Sequence, residues 1–174
     1  MIFNETHYRA DKDKINFQEG VEILRNAVRA VIFNEGKILL AHLEKTDEYK
    51  FPGGGVKDGE SIEEALIREV LEEVGYKVIR MGEKIGTITE YDTAREGEQY
   101  YFKMISDYFM AEIENVQLEQ NLEDNEKDLM FKPCWIEIKE AYNKNKYKIN
   151  IKADTTPGIR RETIALEKII GGLP

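Results

Sequence analysis

Apolar residues along the chain follow two periods in turn, and the changes of period mark its elements. The runs Ala27 to Phe33 and Lys37 to Leu43 are β-rich and flank Asn34-Glu35-Gly36, a hairpin connection. After the turn at Asp58-Gly59 the spacing becomes helical. Ser61 followed three residues later by Glu64 forms a capping box, and Gly75 is a left-handed stop, so a helix is predicted over Ser61 to Val74. Strand composition returns over Lys77 to Thr89 and Tyr100 to Glu112, separated by a polar loop, Glu90 to Gln99. A last core strand is expected over Trp135 to Ile138, a short helix over Lys139 to Asn145, and a lysine-rich connector over Asn143 to Asp154. The final helix starts at Thr155-Thr156-Pro157 and carries Ile159, Thr163, Leu166 and Ile170 on one face. The first 24 residues hold Phe3, Tyr8, Phe17 and Ile23 among many charges; they read as an extension packed on a domain of residues 25–174, as an extra strand or an edge cover.

Within the predicted helix, Leu66, Val70, Val74, Ile67 and Leu71 fill one sector, and Glu69, Glu72 and Glu73 fill the sector beside it. Carboxylates related by i,i+3 and i,i+4 steps repel by roughly 0.2–0.5 kcal/mol per pair. The negative end of the helix dipole adds to that cost. Glu60, Glu63 and Glu64 lie at the opposite end, where negative charge is favoured, and read as capping and solvated residues. A solvated glutamate face is the ordinary reading of the later trio; a hard cation such as Mg²⁺ or Mn²⁺, which takes oxygen ligands, is the functional one.

The context favours the cation. Gly53-Gly54-Gly55 follows Pro52, and successive glycines let backbone approach a ligand closely. Gly54, Glu60, Arg68, Glu69, Val70, Glu72, Glu73 and Gly75 together resemble the Nudix hydrolase signature at its full spacing, with one departure: Tyr76 stands where the family has an aliphatic residue. The resemblance implies an α/β fold, a Nudix-type α/β/α sandwich with a mixed β-sheet. It implies a Mg²⁺-dependent hydrolase (Mn²⁺ as the substitute ion) that cleaves a phosphoanhydride in a nucleoside triphosphate or a nucleoside diphosphate-linked compound. By the same resemblance Glu69, Glu72 and Glu73 are metal ligands; Arg68, Glu72 and Glu73 serve catalysis; Glu60 gives support, and Gly54 and Gly75 are structural. The close backbone approach that the glycine run allows makes Gly53, Gly54 and Gly55 candidate substrate-binding residues. The residue types suit the chemistry, because anhydride hydrolysis calls for charge neutralisation and a positioned water more than for a covalent nucleophile. The general base is left open between Glu73 and a glutamate of the acidic stretch Glu112 to Asp128, which holds Glu114, Glu119, Glu123 and Glu126. A Nudix-like module that binds nucleotides without cleaving them is the alternative; retention of all three signature glutamates weighs against it.

Length and composition narrow this further. A chain of 174 residues with 41% hydrophobic content forms one domain with a sizeable core. The net charge of −9 disfavours a nucleic-acid polymer as partner, but not a small nucleotide arriving with its own Mg²⁺. There is no apolar run long enough for a membrane helix and no signal-peptide h-region in MIFNETHYRADKDK, so a cytoplasmic protein without a membrane partner is expected. A homodimer through the first 24 residues is a further expectation. Cys134, the single cysteine, reads as a small core residue, and His7 and His42 lack partners at zinc-ligand spacing. Tyr49, Phe51, Tyr91, Tyr100 and Tyr101 are candidate base-stacking residues, and Arg160 and Arg161 candidate phosphate contacts, although packing and solvated charge are the commoner fates of each type.

Overall fold

The computed structural model describes residues 2–18, 20–93 and 100–173. Two four-stranded sheets stack with helices packed on and between them. Strands β1 (Phe3–Tyr8), β2 (Val21–Val31), β6 (Tyr76–Thr93) and β7 (Tyr100–Gln117) make the first sheet in the order β1-β6-β7-β2. It is mixed: β1 runs parallel to β6 and β2 parallel to β7, while β6 and β7 are antiparallel. Strands β3 (Phe33–Asn34), β4 (Lys37–Leu43), β5 (Glu48–Lys50) and β8 (Phe131–Ile136) make the second, with β3, β5 and β8 all antiparallel to β4.

The expected hairpin joins β3 and β4 through Glu35 and Gly36, whose φ angles of 49° and 78° are those a two-residue turn requires. Helix α1 (Ile62–Val74) has the predicted ends: the Ser61–Glu64 capping box is closed, and Gly75 sits at φ 74°. Helices α2 (Asp124–Asp128), α3 (Ile138–Asn150) and α4 (Ile159–Gly172) follow. Two cores result. One lies between the sheets under α4, around Phe51, Ile88, Tyr108 and Leu166; the other lies under α1, around Val28, Leu39, Leu66 and Val70.

Several expectations need correction. Strand β6 runs on through Glu90–Thr93 because Glu90 is buried and Tyr91 stacks on Tyr8; residues 94–99 of the expected loop lie outside the described residues. The last strand starts at Phe131, opposite Leu43, and Ile138 already belongs to α3. That helix continues to Asn150 through the supposed connector, since Ile138, Ala141 and Asn145 form its buried stripe while Lys139 and Lys146 are exposed and Lys144 and Lys148 flank the stripe, reaching Tyr49 and Asp47. In α1, Ile67 is exposed and Leu71 half-buried, because they lie about 100° and 140° round from Leu66. The buried stripe consists of Ala65, Leu66, Glu69, Val70, Glu73 and Val74, so two carboxylates lie within the buried face rather than beside it. Apart from these corrections, the segment before residue 25 forms β1, an extra strand at the edge of the first sheet, and the opening of β2, which runs unbroken from Val21.

Candidate metal centre and active site

The site is built where α1, the glycine run and the segment after β7 meet. Glu73, in the last turn of α1, is 1% exposed. Lys50 Nζ donates to its Oε1 at 2.5 Å, and the Gly53 N–H donates to its Oε2 at 2.8 Å. Gly53 has φ 141° and lies so close to the Val28 carbonyl that no side chain fits there. Burial pushes the Glu73 carboxyl up to about 7, against the pull of Lys50 and Arg29.

One turn earlier, the Glu69 carboxylate lies against Gly54, where any Cβ would collide with it. Arg68 secures the entrance to the helix. It forks onto Glu60 through Nε (2.7 Å) and Nη2 (2.9 Å), reaches the Gly55 carbonyl at 3.1 Å, and donates to Glu69 at 2.7 Å and Glu72 at 3.2 Å. The Arg68 hydrogen bonds, together with the Lys57 N–H, hold the Glu60 carboxyl down at about 2. One guanidinium thus joins the glycine run, the turn before α1 and α1 itself.

The third carboxylate of the group comes from α2. One oxygen from each of Glu69, Glu73 and Glu126 lies within 4.8 Å of the others, and all three residues are buried. Glu72 stands outside this group, half-buried and held by Arg68. Glu126 is carried in by a segment that satisfies carbonyls left over at the end of α1: Asn121 N–H donates to Glu72 O at 3.0 Å, Leu118 N–H to Gly75 O at 2.7 Å, and the Gln120 amide to Glu73 O. Of the other acidic residues of that stretch, Glu123 is exposed on the rim of the site, while Glu114 and Glu119 are exposed and do not join the carboxylate group.

These carboxylates form one wall of a cavity of about 290 Å³, and Arg25, Arg29, Lys50 and Lys57 line it with them. Sequence reasoning missed all four cations. The available signal was Arg29, a charged residue inside the apolar run AVRAVIF. Arg29 is buried and donates to the Gly53 carbonyl, yet its Nε has no hydrogen-bond partner among the described residues. A buried donor of that kind fits an anion better than it fits an apolar wall. Three buried carboxylates, with the Lys50 ammonium on Glu73 and the Arg68 guanidinium, itself shared with Glu60 and Glu72, on Glu69, likewise fit a hard divalent cation.

The other singled-out residues lie elsewhere. Tyr49 and Phe51 are core residues, 3% and 0% exposed. Tyr91 and Tyr101 pack with Tyr8 and Phe17 in an aromatic cluster. His42 stacks on Tyr49 and bonds Asp47. Tyr76 packs edge-on against Trp135, whose indole N–H donates to its hydroxyl at 3.3 Å. Among the described residues no helix is long and apolar enough to cross a membrane.

A NUDIX domain model matches residues 23–157, which is most of the chain and includes α1, the glycine run and Glu126. The chain belongs to the NUDIX family. Curated NUDIX relatives include Nudix hydrolase 6 of Arabidopsis thaliana, 32% identical over 103 residues (59% of this chain, 32% of that one). An RNA pyrophosphohydrolase of Shewanella pealeana is 46% identical over 54 residues (30% and 31%), and a putative 8-oxo-dGTP diphosphatase of Bacillus subtilis is 44% identical over 57 residues (32% and 38%). The chain spans about a third of the length of these curated relatives. Among solved structures, the MutT protein of Bacillus halodurans matches with a TM-score of 0.52 at 21% identity, covering 69% of this chain and 72% of that one. A NUDIX hydrolase of Nitrosomonas europaea matches at 0.51 and 19% identity, covering 84% and 90%. Both share the mixed α/β NUDIX fold.

Proposed function

We propose that this chain is a Mg²⁺-dependent pyrophosphohydrolase that cleaves a phosphoanhydride in a nucleoside triphosphate or a nucleoside diphosphate-linked compound. The observation that carries this reading is the convergence of Glu69, Glu73 and Glu126 in one cavity with Arg25, Arg29 and Lys57. Glu69, Glu73 and Glu126 hold the metal, which when bound neutralises phosphate charge and acidifies a water. The chain's own cations, with the unpartnered Nε of Arg29 among them, receive phosphate oxygens. Gly54 and Gly55 let the backbone line the cavity without side chains in the way. Whichever of Glu73 and Glu126 is less committed to the cation takes the proton of the attacking water. Two relatives' names, RNA pyrophosphohydrolase and 8-oxo-dGTP diphosphatase, favour a triphosphate-bearing substrate, and the net charge of −9 favours a small nucleotide over an RNA end. We place the protein in the cytoplasm.

The test is release of phosphate or pyrophosphate, with and without Mg²⁺, from a panel of nucleoside triphosphates, oxidised guanine nucleotides, nucleotide sugars, ADP-ribose, dinucleoside polyphosphates and a 5′-triphosphorylated RNA oligonucleotide. Mg²⁺-dependent turnover of one class is the expected result. Binding of a panel member with no turnover at any metal concentration would instead make the protein a nucleotide-binding module.

A further inference from the structure

Strand β5 is short and pairs with β4 along only one edge, through Glu48, Tyr49 and Lys50. Along its other edge, side chains take the place of a neighbouring strand. Asn145 of α3 accepts from the Tyr49 N–H at 2.9 Å and donates to the Tyr49 carbonyl at 2.8 Å, closing both backbone groups of one residue. Two residues on, Glu162 of α4 accepts from the Phe51 N–H at 3.1 Å. Asn145 is 0% and Glu162 2% exposed. Glu162 is itself fixed by Arg161, which donates to its Oε1 from Nη2 at 2.6 Å and Nε at 3.1 Å, and Arg161 reaches Glu90 at 2.5 Å. Burial raises the Glu162 carboxyl, but Arg161 and Arg29 outweigh it and hold it below its usual range.

The anchored backbone is the stretch that serves Glu73. Lys50, just before Phe51, and Gly53, two residues after it, supply the two donors on the Glu73 carboxylate. A buried amide and a buried ion cluster are poor devices for stability alone, since an apolar contact of equal volume is often as good or better. They are suited to fixing one backbone position among several. We infer that Asn145 and Glu162 are positioning residues: standing in for a missing strand, they set the Lys50–Gly53 backbone and through it the orientation of the Glu73 carboxylate. The inference rests on Glu73 being a metal carboxylate.

The test compares Asn145→Ala, Glu162→Ala and Glu162→Gln with the parent in the full chain. The glutamine variant keeps an oxygen for the Phe51 N–H. Three quantities are read: hydrogen exchange of the Gly53 amide by NMR, Mn²⁺ affinity by electron paramagnetic resonance, and kcat and KM separately. Both alanine variants are expected to speed Gly53 exchange and to weaken Mn²⁺ binding about tenfold, as loss of an outer-shell partner does. They should lower kcat with little change in KM, and Glu162→Gln should recover part of each loss, because its oxygen still accepts from the Phe51 N–H while its NH2 cannot accept from Arg161. Should Glu162→Ala not fold, Asn145→Ala and Glu162→Gln still carry the comparison. Folded variants with unchanged Gly53 exchange and Mn²⁺ affinity and only a lowered Tm would overturn the inference. Because exchange and Mn²⁺ binding need no turnover, a parent that binds Mn²⁺ but hydrolyses nothing would overturn the hydrolase reading alone.

Discussion

Lys50 Nζ lies 2.5 Å from Glu73 Oε1, so in the metal-free protein an ammonium neutralises a carboxylate of the proposed metal group. Removing one partner of a fully buried pair costs about 3–5 kcal/mol. The Lys50 side chain is 20% exposed. Lys50→Met should therefore cost less, about 2 kcal/mol in the absence of metal. Millimolar Mg²⁺ should return most of that loss by mass action on the folded state. The check is thermal melting of both proteins with and without Mg²⁺: the metal-induced rise in Tm is expected to be larger in Lys50→Met. Equal rises would mean that Lys50 and the metal do not share Glu73.

A pH dependence follows from the same carboxylate. The Glu73 carboxyl stands at about 7 in the folded protein against 4.5 for the ordinary side chain. A carboxyl raised on folding favours the protonated state, so its contribution is complete below 4.5 and is lost as the pH rises through about 7. Glu60 behaves oppositely: held at about 2, it supports the fold above 4.5 and ceases to as the pH falls toward 2. Without metal, the Tm of the parent minus that of Glu73→Gln should fall between pH 4.5 and 7, and Mg²⁺ should flatten that decline by expelling the proton. A difference that stays constant over this range would show that Glu73 titrates as an ordinary carboxyl.

Glu126→Gln and Glu73→Gln should each lower kcat/KM on the order of 100-fold, the loss expected when a preorganised group acting on transition-state charge is removed. Glu119→Gln, at an exposed position of the same stretch, should leave activity unchanged. Glu72→Gln is the informative intermediate. Its carboxylate lies against Arg68 rather than in the group of three, so a loss smaller than that of Glu126→Gln is expected. Steady-state kinetics across a Mg²⁺ titration check the order; a Glu72 variant as impaired as the Glu126 variant would place Glu72 among the metal ligands.

What could be read from the sequence divides along the range of the interactions involved. Helix α1 was legible to the residue because Ser61, Glu64 and Gly75 act within a turn or two of themselves. Glu126 was legible only as one of four, since its approach depends on Leu118, Gln120 and Asn121 finding carbonyls at the far end of α1. Asn145 interrupted the apolar stripe of α3 and hid half of that helix, because its partner, the backbone of Tyr49, is remote in sequence. Arg161 reads as a surface charge until Glu90 and Glu162 are seen to enclose it. Arg29 stood out as a charge inside an apolar run, but what it meets, the Gly53 carbonyl, is remote in sequence, and Arg25 gave no local sign.

Gly54 separates conformational need from steric need. Its φ is not in the left-handed region, unlike that of Gly53 or Gly75, so alanine costs no backbone strain there. A Cβ at Gly54 would collide with both oxygens of Glu69, the end of a side chain that can swing aside. Gly54→Ala should therefore fold with a Tm close to the parent's while displacing Glu69 from the group it forms with Glu73 and Glu126, weakening metal affinity about 10-fold or more. Gly75→Ala is the contrast: φ 74° and the Leu118 carbonyl leave no room for a side chain, so stability should fall by at least about 1 kcal/mol. Melting curves and Mn²⁺ titrations of the two variants decide the matter. If Gly54→Ala binds Mn²⁺ as tightly as the parent, Glu69 is not held in place by its contact with the glycine run, and the close packing of that carboxylate on Gly54 serves the fold alone.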